Sequence, residues 1–292
     1  MNDYCVFIVT NGRPERQITY KTLRMQNYTG KVFFIIDDQD KTATRYKEIY
    51  GDSVIIFDKE TVAAGVDVGD NRRDLRTVLI ARNACHDIAV SLGFKYYIVM
   101  DDDYTRFSWI FNYRQEFIPR RPKIKSLNKA FEIMFDFYIT SGLSSLAMFQ
   151  GGDMIGGAGN KNAKTIYCHR KCMQTFFCST DRKINWVSRL NDDVSTYIAT
   201  QQRGDTRMMS VNLIQVDQGV TQRHAGGMTE EYLDSGTYVK SFYSVMFAPS
   251  AVKVGLMGSI NKRLHHQTKW SAVAPLYIAE KYKKAKLASN ES

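Results

Sequence analysis

Three aspartates in a row, Asp101, Asp102 and Asp103, close the run Tyr96–Met100, five apolar or aromatic residues of β-strand character. Carboxylates crowded at the exit of a buried strand repel one another, so the arrangement calls for a compensating charge. A hard divalent cation, Mn2+ or Mg2+, takes oxygen ligands and neutralises carboxylates. Asp101 and Asp103 would point to one side of an extended chain and share such an ion. A second acidic strand end follows Lys31–Ile36, at Asp37, Asp38 and Asp40, and the pair Asp192-Asp193 follows Asn191 where a helix begins. Late in the chain, His265 and His266 offer a nitrogen ligand to a metal, and Lys269 can neutralise phosphate. Asp37 or Asp38 can accept hydrogen bonds from a nucleobase or ribose. The triplet with a metal can hold a diphosphate and make it a better leaving group. Asp192 or Asp193 can take the proton of an attacking hydroxyl, or can simply cap a helix and complement its dipole. The set describes transfer of a group from a nucleoside diphosphate to an alcohol.

The elements around these residues must bring them together. Tyr4–Thr10 reads as a buried strand, and Asn11-Gly12-Arg13-Pro14 as a turn into a helix over Glu15–Gln26. Strand Lys31–Ile36, a helix from Thr42 to Tyr50 and strand Ser53–Phe57 follow, a spacing that predicts a parallel, doubly wound sheet. In such sheets ligands bind at the carboxyl ends of strands, where the acids stand. Asp58–Asn71 is expected to be a long loop, and Asp74–Leu92 a helix with a broad apolar stripe and Arg72, Arg73, Arg76 and Arg82 around it. A helix over Ser126–Thr140, a strand over Leu143–Phe149, a glycine-rich loop over Gln150–Lys164 and a strand over Met208–Val216 come next. Glu230–Lys240 is expected to be helical, Phe242–Leu256 to contain strands, and Glu280–Lys286 to form a basic helix. Neither the dinucleotide-binding glycine fingerprint nor a P-loop is present.

The chain has 292 residues, enough for one large α/β domain or two smaller ones, with 44% hydrophobic and 24% charged residues. Its net charge of +10 favours anionic partners. Aromatics and cations interleave over Trp109–Lys125, where Arg120 and Arg121 after Pro119, with Lys123 and Lys125, would contact a DNA backbone. The five cysteines are read as reduced thiols in a cytosol, because their number is odd and no secretory signal is recognisable. Cys168, His169, Cys172 and Cys178 fit no closed zinc spacing and read as ordinary thiols. No apolar stretch reaches the roughly 18 residues of a membrane span, so a membrane partner is not expected.

TNGRP (10–14), YTGKVFFIIDDQDKT (28–42), YGDSVIIFDK (50–59), IVMDDDY (98–104), FFCSTDR (176–182), LNDDVSTY (190–197) and HHQTKW (265–270) together resemble the TET-associated glycosyltransferases of bacteriophages, relatives of the base J glucosyltransferases. The resemblance runs in order over nearly the whole chain. It implies a GT-A (Rossmann-like) fold: one large domain with a central mixed sheet flanked by helices, residues 1–106 forming the donor-binding half and 107–292 the acceptor-binding half. It implies a nucleotide-sugar co-substrate, a UDP-sugar foremost, bound by Thr10, Asn11, Arg13, Asp37, Asp38, Arg82, Asp102 and Lys269. Asp101 and Asp103, with His265 or His266, would hold the metal, and Asp192 or Asp193 would be the base of an inverting transfer. Gln150, Gly151, Gly152 and Trp270 would lie near the sugar or acceptor. The implied acceptor is a 5-hydroxymethylpyrimidine in DNA, 5-hydroxymethylcytosine first, inside a host bacterium. A GT-A enzyme acting on lipopolysaccharide or protein keeps the same donor site. A nucleic-acid-binding protein with structural acids, or a metal-dependent nuclease, is the alternative of another class.

Overall fold

The computed structural model describes residues 3–72, 74–203, 207–219, 228–236, 238–258 and 262–273. Arg73 and the helix expected over Glu280–Lys286 lie outside them. In order, the elements are β1 (Tyr4–Val9), α1 (Ile18–Met25), β2 (Val32–Asp37), α2 (Ala43–Tyr50), β3 (Val54–Phe57), α3 (Lys59–Ala63), α4 (Val78–Ser91), β4 (Tyr96–Asp101), β5 (Tyr104–Trp109), α5 (Leu127–Ser141) and β6 (Ser145–Gln150). There follow β7 (Cys168–His169), β8 (Phe176–Ser179), α6 (Asp192–Arg203), β9 (Met208–Gln218), α7 (Thr229–Ser235), α8 (Lys240–Phe247), β10 (Val252–Met257), β11 (Arg263–Thr268) and α9 (Trp270–Val273).

Among the described residues, nine strands form one sheet in the order β3-β2-β1-β4-β8-β6-β9-β5, with β7 beside β9, and β10 and β11 form a separate ribbon. The first four strands of that order are parallel, as the strand–helix alternation predicts. Beyond β4 the sheet turns mixed: β8 is antiparallel to β4 and β6, β9 is parallel to β6, and β5 is antiparallel to β9. The central strand β1 is buried at all six positions. Tyr4, Val6 and Ile8 pack into one apolar cluster with Phe131, Phe135 and Phe177, while Cys5, Phe7 and Val9 pack into the other with Leu79, Cys85 and Trp186. Helices cover both faces, which is why these strands read as unbroken apolar runs rather than alternating ones. The result is a mixed α/β sheet flanked by helices.

β1 lies between β2 and β4, so the chain reverses its winding direction there, and Val9 stands opposite both Ile35 and Asp101. The carboxyl ends of these three parallel strands therefore meet at one edge, the place where open α/β sheets bind ligands.

Three elements depart from the sequence reading. Asp58–Asn71 contains α3, whose first turn is capped by the Asp58 carboxylate accepting from Thr61 N at 2.8 Å. α4 starts at Val78 rather than Asp74, because Arg76 folds back onto Asp74 and the Thr77 hydroxyl caps the Leu79 N–H. Lys240–Phe247 is helical, not extended. Its buried Ser241 and Ser244, with Ala248 beyond, recur at helical spacing.

Candidate active site

The aspartate triplet is not extended: β4 ends at Asp101, Asp102 and Asp103 make a turn, and β5 starts at Tyr104. Thr19 on α1 pins that turn. Its N–H donates to Asp102 O at 3.0 Å, its hydroxyl donates to Asp101 O at 2.6 Å, and it accepts from Tyr104 N at 2.8 Å. Three like charges are thereby sent to three environments. Asp101 accepts from Arg82 at 2.9 Å. Asp102 accepts from the Thr10 hydroxyl at 2.6 Å and from Arg13 at 3.3 Å. Asp103 Oδ1 is buried and has no hydrogen-bond partner among the described residues. Burial raises the Asp102 carboxyl above the usual range, against the pull of Thr10 and Arg13. Burial, then the charges of Asp101 and Asp102, push Asp103 up to about 7.

The other acids arrive from separate elements. Asp37, at the end of β2, is 3.2 Å from Lys59 Nζ and accepts from Asn11 Nδ2 at 3.3 Å. Asp38 is exposed and accepts from Lys59 N–H at 3.0 Å. Asp192 and Asp193 open α6, preceded by Asn191 with φ +59°. Arg82, on α4 and only 5% exposed, joins the two acid centres, donating to Asp192 at 2.6 Å and to Asp101 at 2.9 Å. Its guanidinium also lies over the Phe176 and Trp186 rings, 5.1 and 5.4 Å from their centroids. Burial alone would pull the Arg82 pKa down, but Asp192 and Asp101 hold it above its usual value. Burial likewise raises Asp192, with Arg82 opposing. Asp193 has no printed ion pair; its Oδ1 accepts from the Val194 N–H at 2.7 Å. Burial and the Asp192 charge push it up to about 7.

These groups line one cavity of about 560 Å³. Of the residues singled out in the sequence, Thr10, Asn11, Arg13, Asp37, Arg82, Asp101, Asp102, Asp103, Gln150, Asp192 and Asp193 line it. Asp38, Gly151, Gly152, His265, His266, Lys269 and Trp270 are not among its lining residues. His266 sits beside it, with Nδ1 3.3 Å from Asn191 Nδ2, and Trp270 rests its ring on Tyr197 at 5.8 Å. Arg120, Arg121, Lys123 and Lys125 belong to the segment after the far end of β5. There Lys125 O and Ile124 O accept from Asn27 and Gln26 at the end of α1, away from the cavity.

Sequence reasoning missed several wall residues, because their partners are distant in the chain. Lys59 neutralises Asp37. Arg189, 1% exposed, donates twice to Asp70, at 2.8 Å each, and to Arg72 O at 2.6 Å, and so fastens the loop before α4 to the start of α6. Asp70 is held down at about 2, Arg189 and Tyr243 outweighing its burial. A lone arginine in the apolar run Trp186–Leu190 was the available signal. Tyr232 and Lys240 line the cavity opposite β1.

The donor set fits a divalent cation in part. Asp103 presents a buried, uncompensated carboxylate oxygen, and Asp101 lies two residues away. A cation that also binds a diphosphate needs only one or two carboxylates from the protein. A shell completed by histidine is not assembled, since no group of three or more His, Cys, Asp or Glu converges among the described residues. Burial and neighbouring cationic groups lower His265 and His266, the latter to about 4. Cys168, Cys172 and Cys178 are free thiols.

Solved structures similar to this one include a protein described as a nucleotide-diphospho-sugar transferase from Desulfovibrio desulfuricans G20. It is 9% identical, with 85% of this chain and 95% of that one covered and a TM-score of 0.40. S. aureus TarS is 11% identical over 75% of this chain and 37% of its own (TM-score 0.39), and TarS 1-349 is 11% identical over 73% and 59% (TM-score 0.38). No curated protein matches the sequence. The profile of the TET-Associated Glycosyltransferase family, in contrast, matches residues 4–227. That span runs from β1 past β9 and holds every carboxylate that lines the cavity through Asp193. The chain therefore belongs to the TET-associated glycosyltransferase family and is a glycosyltransferase.

Proposed function

We propose that this enzyme moves a sugar from a nucleotide-sugar donor, a UDP-sugar first, to the hydroxyl of a 5-hydroxymethylpyrimidine in DNA, 5-hydroxymethylcytosine first, in a GT-A arrangement. One observation carries the reading. The strand-end acids Asp37 and Asp101–Asp103 and the helix-start pair Asp192-Asp193 share a single cavity, with Arg82 tying the last two groups together. The +10 net charge favours a polyanionic acceptor.

In this reading residues 1–106 supply most of the donor side and the later chain the acceptor side. Asp37, near Lys59 and Asn11, receives the nucleoside. Asp103, with Asp101, holds a divalent cation, which would neutralise the diphosphate as it leaves. Arg13 adds positive charge at the same turn. Asp193 takes the acceptor proton. Asp192 is committed to Arg82 at 2.6 Å, whereas Asp193 has no such tie and a raised pKa suited to a base near neutrality. Gln150, on the cavity wall, faces the transferred sugar. A base inside a duplex cannot reach such a site, so the target nucleotide is flipped out, at a cost of a few kcal/mol.

Asp103→Asn tests the donor half directly. It keeps the shape of the turn and removes the uncompensated charge. Titrating a UDP-sugar by calorimetry with and without Mn2+ is expected to show metal-enhanced affinity in the parent enzyme and to lose that enhancement, about tenfold or more, in the variant. Equal metal enhancement in both proteins would remove Asp103 from the donor site.

A further inference from the structure

We infer that the β10–β11 ribbon is the surface that seats duplex DNA beside the acid pair. The inference rests on the DNA acceptor proposed above and adds where that DNA lies. It starts from charge. Asp234 and Glu280 bracket a stretch without one acidic residue, in which Lys240, Lys253, Lys262, Arg263 and Lys269 stand. Most of the described part of that stretch is α8, the ribbon and α9.

Pairing fixes which residues share a face. Val252, Val254 and Leu256 stand opposite Thr268, His266 and Leu264, and Lys253, Gly255 and Met257 stand opposite Gln267, His265 and Arg263. The first face turns toward the enzyme at its base: Val252 is buried, and His266 meets Asn191, the residue before the acid pair. The second face carries exposed Lys253, Gln267 and Arg263, with Lys262 exposed just before β11. Gly255 gives this face a flat centre, and the Gln267 side-chain amide lies where a Cβ there would stand. Six residues per strand make the ribbon about 20 Å long. A two-stranded ribbon of this kind fits the DNA major groove, about 12 Å wide.

Position selects the ribbon over the basic run at Arg120–Lys125. That run follows the end of β5 remote from the cavity, and it includes Glu116 nearby. The ribbon is anchored where an acceptor must arrive: Lys269 N donates to Ala251 O at 2.7 Å, Arg170 donates to Trp270 O at 3.1 Å, and Lys240 at the start of α8 lines the cavity. At the far end, Leu256, Met257 and Leu264 are exposed. Apolar side chains of this kind serve DNA-bending proteins as wedges between base steps, and flipping leaves such a gap to fill.

The test reverses charge on the outer face. Lys253→Glu with Arg263→Glu, and the milder Lys253→Gln with Arg263→Gln, are compared with the parent enzyme. Binding to a short duplex carrying one 5-hydroxymethylcytosine is read by fluorescence anisotropy from about 50 to 200 mM salt. UDP-sugar affinity and melting temperature are measured alongside and are expected to be unchanged. The reversal is expected to weaken DNA binding at least tenfold and to flatten the salt slope by about two, with the glutamine pair in between. A parent that binds DNA steeply with salt and variants that bind it equally would overturn the ribbon assignment and leave the DNA acceptor standing. A parent that neither binds nor modifies DNA would overturn the acceptor reading itself. Binding of the parent to phosphatidylserine vesicles but not to DNA, lost in the same variants, would make the ribbon a membrane surface and overturn the inference.

Discussion

Asp193→Asn is expected to slow sugar transfer about 10²–10⁴-fold, the usual contribution of a general base, while the UDP-sugar still binds and the protein still folds. The substitution keeps the oxygen that accepts from Val194 N–H and breaks no printed ion pair. The parent enzyme should reveal the base through its pH profile. Asp193 must be ionised to accept a proton, and burial with the Asp192 charge has pushed it up to about 7. The transfer rate should therefore climb with pH through about 7 and level off above, whereas an ordinary aspartate, near 3.9, would have levelled long before. In Asp193→Asn that limb should vanish. If the variant transfers at the parent rate, or keeps the limb at full height, Asp193 is not the base.

The second large effect belongs to Arg82→Met. Methionine fills similar space against Phe176 and Trp186 but leaves Asp192, 6% exposed, and Asp101 without their counter-charge. Removing one partner of a buried ion pair strands the other, at a cost of about 3–5 kcal/mol. Denaturant unfolding should show that loss, and transfer should fall as well, because Asp192 and the aspartate turn are no longer held in one frame. Arg82→Lys should recover only part of either property, since one ammonium cannot serve two carboxylates on opposite sides as a guanidinium fork does. A loss below about 1 kcal/mol in Arg82→Met would mean the acids do not depend on Arg82 for their burial.

How much of this was written in the sequence depends on how local each signal is. β1, β2 and β4 were legible because both faces of each strand are covered, so every residue is apolar until the acid that ends the run. Their order was legible too, since strand–helix alternation fixes a parallel, right-handed winding. The antiparallel additions β8 and β5 carry no such rule. The aspartate triplet was found by composition, but its shape was not: an extended strand would set Asp101 and Asp103 side by side, and Thr19 instead bends the chain into a turn. α4 was placed three or four residues early because Asp74 resembles a helix cap. Arg76 occupies that carboxylate, and Thr77 does the capping. Lys59, Arg82 and Arg189 owe their roles to partners about 20 to 120 residues away, at Asp37, Asp192 and Asp70, and no periodicity encodes such distances. His265 and His266 attracted attention as metal ligands by residue type alone. Strand pairing splits them between the two faces of the ribbon, and His266 meets Asn191 rather than a carboxylate.

The central claim is transfer of a sugar to a hydroxymethylated base in DNA, and mass tests it most directly. The enzyme is incubated with Mn2+, a panel of sugar nucleotides, and DNA containing 5-hydroxymethylcytosine or 5-hydroxymethyluracil, and the digested nucleosides are weighed by mass spectrometry. The predicted result is a gain of one sugar on a hydroxymethylpyrimidine nucleoside, strongest with a UDP-sugar and 5-hydroxymethylcytosine, and absent on unmodified DNA. Hydrolysis of a sugar nucleotide with no gain of mass on either base would contradict the DNA acceptor and send the sugar elsewhere.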